Sequence, residues 1–409
     1  MHDSNVTRGF VACAALLTAG AQLCATARAA DAASNGLISG GDVTAGARYR
    51  LESVDQDGPL QSALASTLRT SVAFETNSDF AAGAFLEVED VHAIGAEKFN
   101  STTNGRTHYS VVPDPNGTEL NQGYLSWRRS GFRARLGRQA FVLDNARFLG
   151  DAGFRQNQQT FDALTLQQTT PGGSRFTYGY LWRARRFLGE DHPLGEPAMR
   201  THVLNYSFGR LNGDRLTAYA YLLDFDTAAL QASSTQTFGV SYDGGVDIAT
   251  RRFLYRAEYA NQSEYADNPG QADTWYANAE AGFRFAAQWT LTAGIELLSG
   301  DGTSAFQTPL GTLHKFNGFA DLFAAATPAD GLEDRYARVY VPLGGTRLTL
   351  TWHEFLADND SRDYGSELDL ELGRRLTKHW LVGLKFADYG AESFGTDTRK
   401  AWAWVQGEF

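Results

Sequence analysis

Residues 176–183 read Phe176-Thr177-Tyr178-Gly179-Tyr180-Leu181-Trp182-Arg183, with aromatic rings at every second position. A period of two puts the rings on one face of an extended strand and the intervening residues on the other. The same pattern recurs along the chain. Arg48-Tyr49-Arg50-Leu51-Glu52 sets charges against apolar groups, and Leu68-Arg69-Thr70-Ser71-Val72-Ala73-Phe74 does likewise. Phe253-Leu254-Tyr255-Arg256-Ala257-Glu258-Tyr259 and Leu348-Thr349-Leu350-Thr351-Trp352-His353 continue it.

Read in order, such segments place strands near 42–53, 63–75, 80–92, 119–128, 131–140 and 159–168. The next fall near 174–186, 200–209, 214–225, 235–243, 251–260 and 273–285. The last fall near 289–299, 333–341, 345–356, 363–375, 379–390 and 398–409, giving about 18 strands. Alternation alone also fits a soluble sandwich, so the connections must decide. Tight turns at Thr76-Asn77-Ser78-Asp79, Arg129-Ser130-Gly131, Pro171-Gly172-Gly173, Asn212-Gly213-Asp214, Pro342-Leu343-Gly344-Gly345 and Thr377-Lys378 follow even-numbered strands. Longer loops at 93–118, 141–158, 187–199 and 300–332 follow odd-numbered ones. Segregation by length is the mark of a bacterial outer-membrane barrel, with short periplasmic turns and long extracellular loops. The expected fold is all-β: a closed antiparallel transmembrane β-barrel of about 18 strands.

Composition agrees. Mean hydropathy is −0.33 and no run of about 18 apolar residues lies beyond the N-terminus, which excludes a helical membrane protein. Aromatics make up 12 % of the 409 residues, Gly numbers 42 and Pro only 10, as suits many strands joined by turns between two aromatic girdles. The N-terminus has Arg8, an apolar stretch from Gly9 to Leu23, and Ala27-Arg28-Ala29, which predicts a signal peptide over 1–29 cleaved near Ala29 or Ala30 and a single barrel domain over 30–409. Gln22 and the many Ala and Thr make the stretch too weakly apolar for a retained anchor, and Phe10-Val11-Ala12-Cys13 comes too early for a lipoprotein signal. Cys13 and Cys24 leave with it, so the mature chain offers no disulfide or thiolate site. Losing Asp3, Arg8 and Arg28 takes the net charge from −11 to −12, which argues against nucleic acid as a partner. The expected surroundings are outer-membrane lipid and lipopolysaccharide. A final strand ending in Phe409 is similar to the sorting signal that barrels present to the barrel assembly machinery.

If the apolar parity faces lipid, the other parity lines the lumen. It carries Arg48, Arg50, Arg69, Arg133, Arg135, Arg183, Arg185, Arg256, Arg338, Arg347 and Lys385. It also carries Glu75, Glu87, Glu89, Glu258, Glu280, Glu296, Glu367, Asp369 and Glu371. One reading is an arginine ladder for an anionic solute, since guanidinium grips a carboxylate with two parallel hydrogen bonds. The other is a charge-neutral lumen in which Arg and Glu pair, because parity fixes a face but not partners. Only 5 of the 36 basic residues are Lys, against a lysine-lined phosphate channel. Tyr336 and Tyr340 share the lumen parity and would suit a sugar slide; most other aromatics are expected in the girdles. Loop 300–332 either folds inward or lies flat outside, and Phe316–Ala326 is compatible with a short amphipathic helix. Asp301, Asp321 and Asp330 match no calcium-loop spacing and read as solvated loop acids.

No catalytic constellation emerges. His353-Glu354 lacks a second histidine at zincin spacing, where Ala357 stands, and Gly239-Val240-Ser241-Tyr242-Asp243 lacks the closing Gly of a nucleophile elbow. The eight histidines are scattered singly. No cofactor, catalytic residue or metal ligand is expected.

Several segments are similar to the alginate export porin family. They include Gly137-Arg138-Gln139, Leu143-Asp144-Asn145-Ala146-Arg147-Phe148 and Phe154-Arg155-Gln156-Asn157-Gln158-Gln159-Thr160-Phe161-Asp162. Tyr219–Asp226, Ala257–Asn268 and the run from Gly300-Asp301-Gly302 through Ala305–Leu310 to Gly331–Asp334 add to them. The resemblance implies an 18-stranded monomer with a positively charged constriction that passes a polyuronate. On the matching block it places Arg138, Asp144, Arg147 and Arg155 near that constriction, or else as Arg–Asp anchors pinning 141–158 to the inner wall. The chain is shorter than the exporter and has more lumen acids. The expectation is therefore a passive channel for an acidic saccharide. The alternatives are a general diffusion porin with a balanced lumen and, from another class, a barrel enzyme or a plugged surface-binding protein.

Overall fold

The computed structural model describes residues 40–76, 81–95, 97–209, 214–270 and 273–409. The expected signal peptide, both cysteines and the turn residues Asn77–Asp79 and Asn212–Gly213 lie outside them.

Eighteen strands follow one another: β1 Gly41–Gln56, β2 Ala63–Thr76, β3 Ala82–Ala93, β4 Gly117–Arg129, β5 Phe132–Gln139 and β6 Thr160–Thr169. Then come β7 Arg175–Arg185, β8 Ala198–Ser207, β9 Arg215–Leu222, β10 Thr235–Ile248, β11 Arg251–Glu264 and β12 Asp273–Arg284. The set ends with β13 Thr290–Leu298, β14 Leu332–Leu343, β15 Thr346–Leu356, β16 Asp363–Arg375, β17 Trp380–Ala391 and β18 Thr398–Glu408. Each pairs antiparallel with its sequence neighbours, and β18 pairs with β1, so the sheet closes. Closure matters because hydrocarbon cannot satisfy a free backbone edge. The Phe409 N–H donates to the Ala45 carbonyl and the Ala45 N–H donates back, both at 2.9 Å, which finishes the seam.

The alternation works as the physics requires. Leu125, Leu136, Val72 and Trp352 remain half-exposed or more on the outer face, where lipid replaces water. Phe253 against Phe283 (ring centroids 5.2 Å) and Trp380 against Phe409 (5.4 Å) belong to an aromatic belt at the periplasmic end. Tyr180 with Trp182 (6.4 Å) and Tyr259 with Trp275 (6.4 Å) mark the outer belt.

Two sequence expectations need correction. Many aromatics face inward rather than into the girdles: Trp402, Tyr276, Tyr389, Phe161 and Phe355 are buried inside the barrel against loop residues Leu149, Phe306 and Phe323. Phe316–Ala326 forms no helix; the loop has only a three-residue 3₁₀ turn, Leu313–Lys315. Gly318, at φ +85°, sits in that stretch, and its tightly folded chain is held by wall carboxylates rather than by helical hydrogen bonds.

Candidate functional site

In an 18-stranded ring, β9 and β10 stand half-way round from β1. The β5–β6 loop, 140–159, reaches both sides. Near β9 the Asp144 carboxylate accepts from Asn205 Nδ2 (2.7 Å) and from the Tyr221 hydroxyl (3.4 Å). On β1, Arg48 donates to Gln156 Oε1 (2.9 Å), to the Gly153 carbonyl (2.9 Å) and to the Arg155 carbonyl. Arg50 donates to the Phe154 carbonyl, pairs with Asp114 of the β3–β4 loop and lies 4.9 Å from the centroid of the Phe154 ring. This loop therefore crosses the lumen.

The β13–β14 loop, 299–331, meets it there. Arg147 binds Glu296 on β13 (3.2 Å) and Asn317 Oδ1 (3.0 Å), while Asn317 Nδ2 donates to Glu296 (2.7 Å) and Asp334 (3.1 Å). The Phe319 and Ala320 amides donate to Asp369 (3.1 Å) and Glu367 (2.7 Å) on β16. Asp321 gathers Arg155 (2.8 Å), Lys400 of β18 (3.0 Å) and His314 (2.8 Å), and Arg155 reaches on to Glu52 of β1 (3.4 Å). The loop–loop seam is closed by the Gly150 N–H on the Leu310 carbonyl (2.9 Å) and Gln159 Nε2 on the same oxygen (2.9 Å).

The electrostatics follow from burial in a crowded lumen. Burial alone would raise the Asp114 carboxyl, but Arg50, Arg155 and the Gln156 N–H hold it below its ordinary value. Burial pushes His314 down to about 3, Asp321 opposing and Lys385 adding to the effect. His314 is thus neutral at pH 7, with Nδ1–H donating to Asp321 and Nε2 accepting from Lys385 Nζ (3.3 Å). For Asp321, the His314 N–H it accepts and the charges of Lys400 and Arg155 overcome burial and keep the carboxyl well below the usual range.

The expected lining residues sort into three groups. Arg48, Arg50, Arg147 and Arg155, with Asp144, hold the loops through the contacts just described. Arg69 is inward but paired with Glu87 (3.8 Å) and Glu89 (2.5 Å), and Glu89 also accepts from the Gln158 amide (3.2 Å). Arg256 pairs with Glu258 (2.5 Å), and Arg338 lies 3.9 Å from Glu280. Arg133 and Arg135 face the lumen near the periplasmic end without an ion pair among the described residues; Arg135 lies 4.8 Å from the Tyr124 ring centroid.

Arg138, Arg183 and Arg185 are corrections. Arg138, Asp162 and Arg183 are cross-strand partners on the face of half-exposed Leu136, away from the buried Phe161 and Ala163. Against β6, Leu181 pairs with Ala163 and Arg183 with Asp162, so a bulge inserts Trp182 and inverts the parity that put Arg183 and Arg185 inside. All three point outward.

Sequence reasoning missed several participants. Arg175 and Arg215 share the inward parity of Thr177 and Thr217 at the first residues of β7 and β9, and neither has an ion pair among the described residues. Their parity is legible in the sequence alone. Asp321, read as a solvated acid, and His314, Asn317, Asp114 and Lys400 carried no signal, because their roles need loops to meet across the barrel.

A closed 18-stranded barrel with short turns at one end and two loops folded into its lumen is the architecture of an outer-membrane channel protein. Solved structures agree on the fold: Pseudomonas aeruginosa outer membrane protein opdK (TM-score 0.72, 12 % identity, covering 91 % of this chain and 100 % of that one) and Acinetobacter baumannii OccAB4 (0.71, 10 %, 92 % and 100 %). No curated protein matches the chain in sequence. The alginate export family model matches residues 42–339, and the chain belongs to that family. It is an outer-membrane porin-like barrel.

Proposed function

We propose that this barrel is a passive channel for an acidic saccharide, an alginate-like polyuronate or its oligomers. The observation that carries the reading is the set of inward arginines near the periplasmic end, Arg133, Arg135, Arg175 and Arg215, which have no carboxylate partner among the described residues. An unpaired guanidinium facing a water-filled mouth is free to take a solute carboxylate in a bidentate grip. The arginines deeper in, committed to Gly153, Phe154 and Glu52, fix the loops that set the bore. Membership of the alginate export family supports the same solute class.

A second reading, a general diffusion porin, is favoured by the mid-barrel pairs Arg256–Glu258 and Arg69–Glu89, which neutralise one another. Single-channel recording in a planar bilayer under a salt gradient, with and without oligouronate, separates the two. Anion selectivity with block by oligouronate is the expected result. Weak selectivity indifferent to uronate would leave the general porin, and a silent barrel would overturn both and favour a barrel enzyme or plugged binding protein.

A further inference from the structure

The three outward arginines cannot serve the lumen, and their position on the wall suggests another ligand. Arg138 Nε binds Asp162 Oδ1 (2.9 Å), Arg185 Nη2 binds Asp162 Oδ2 (3.3 Å), and Arg185 also pairs with Glu196. Arg183 Nη1 lies 3.9 Å from Glu196 and its side chain is 40 % exposed. Within these pairs three guanidiniums stand side by side against two carboxylates. On the same face of β7, toward the membrane, stand Trp182 and then Tyr180 of the outer aromatic belt, with half-exposed Leu136 in register with Tyr180 across β6. That sequence, apolar, then aromatic, then cationic, places the cluster at the level of the outer-leaflet head groups. At the outer end of β14 the balance is reversed: Arg335 stands between Glu333 (2.6 Å) and Glu354 (3.5 Å). A local excess of guanidinium beside lipid, in reduced dielectric, is a phosphate-recognition arrangement.

We propose that Arg138, Arg183 and Arg185 bind a phosphate on the sugar head group of an outer-leaflet glycolipid, the lipid A moiety of lipopolysaccharide. Asp162 is the positioning residue that keeps the three cations together, and the bulge at Trp182 aims two of them at the lipid. The site is independent of what the channel passes.

The test is native mass spectrometry of the refolded full chain in detergent, titrated with bisphosphorylated lipid A, dephosphorylated lipid A and inorganic phosphate. The unsubstituted protein should prefer the bisphosphorylated lipid at least tenfold. The double variant Arg183→Gln/Arg185→Gln should lose that preference, while Arg399→Gln, outward on β18 and paired with Asp388, should keep it. Unaltered single-channel conductance shows that each variant is folded. Preference retained in the double variant, or absent in the unsubstituted protein, overturns the assignment. Competition by inorganic phosphate at equal concentration would also overturn it, by making the ligand a soluble anion.

Discussion

Arg155→Gln should release the two lumen loops from each other. The Arg155 guanidinium bridges Glu52 on β1 and Asp321 of the β13–β14 loop, at 3.4 and 2.8 Å, with all three side chains at most 10 % exposed. Removing one member of a buried ion pair costs about 3–5 kcal/mol, because the orphaned charges cannot regain water. Here the lower end applies: Asp321 keeps Lys400 at 3.0 Å, and Glu52 keeps Arg50 at 3.3 Å. About 3 kcal/mol corresponds to roughly a hundredfold rise in the population with the loops undocked. Single-channel recording reads this directly, as time spent in a wider conductance level relative to the native one. Arg155→Lys should fall between, since one ammonium cannot span two carboxylates as a guanidinium fork does. A trace for Arg155→Gln identical to that of the unsubstituted protein would refute the claim that this residue holds the two lumen loops together.

Three further outcomes are expected. Gly318→Ala forces a Cβ to 2.3 Å from Glu367 Oε2 at φ +85°, so beyond about 1–2 kcal/mol of left-handed backbone cost the loop must leave its carboxylate; limited proteolysis should then cut within 313–326, and resistance equal to that of the unsubstituted protein would contradict it. His314 is held near 3 when docked but titrates near 6.5 when released, so docking is undiminished above pH 6.5 and weakens as pH falls toward 3; wide-level occupancy should rise from pH 7 to pH 4, and His314→Gln should flatten that rise. Arg133→Ser/Arg175→Ser/Arg215→Ser should move the reversal potential toward zero while leaving the thermal midpoint unchanged, as no ion pair is lost; an unmoved potential would remove the periplasmic arginines from solute selection.

What the sequence determined by itself was the wall. Period-two alternation and the sorting of connections by length are local properties, and strand limits read from them lie within a few residues of those in the structure: 63–75 against Ala63–Thr76, 363–375 against Asp363–Arg375. Parity also assigned faces correctly wherever a strand ran regular, as at Arg48, Arg69 and Arg256. It failed at Arg183 and Arg185 because one inserted residue, Trp182, shifts the register and every later side chain changes face; nothing in Tyr180-Leu181-Trp182-Arg183 announces the insertion. The lumen was decided by tertiary structure alone. Arg48 and Arg50 look the same in sequence as Arg133 and Arg135, yet the first pair is spent on loop carbonyls and the second faces open space. The difference comes from loops at 140–159 and 299–331 meeting across the barrel, which brings Arg155 to Asp321 over 166 residues of chain. Such partners are set by closure of the ring, and no periodicity within one strand encodes them.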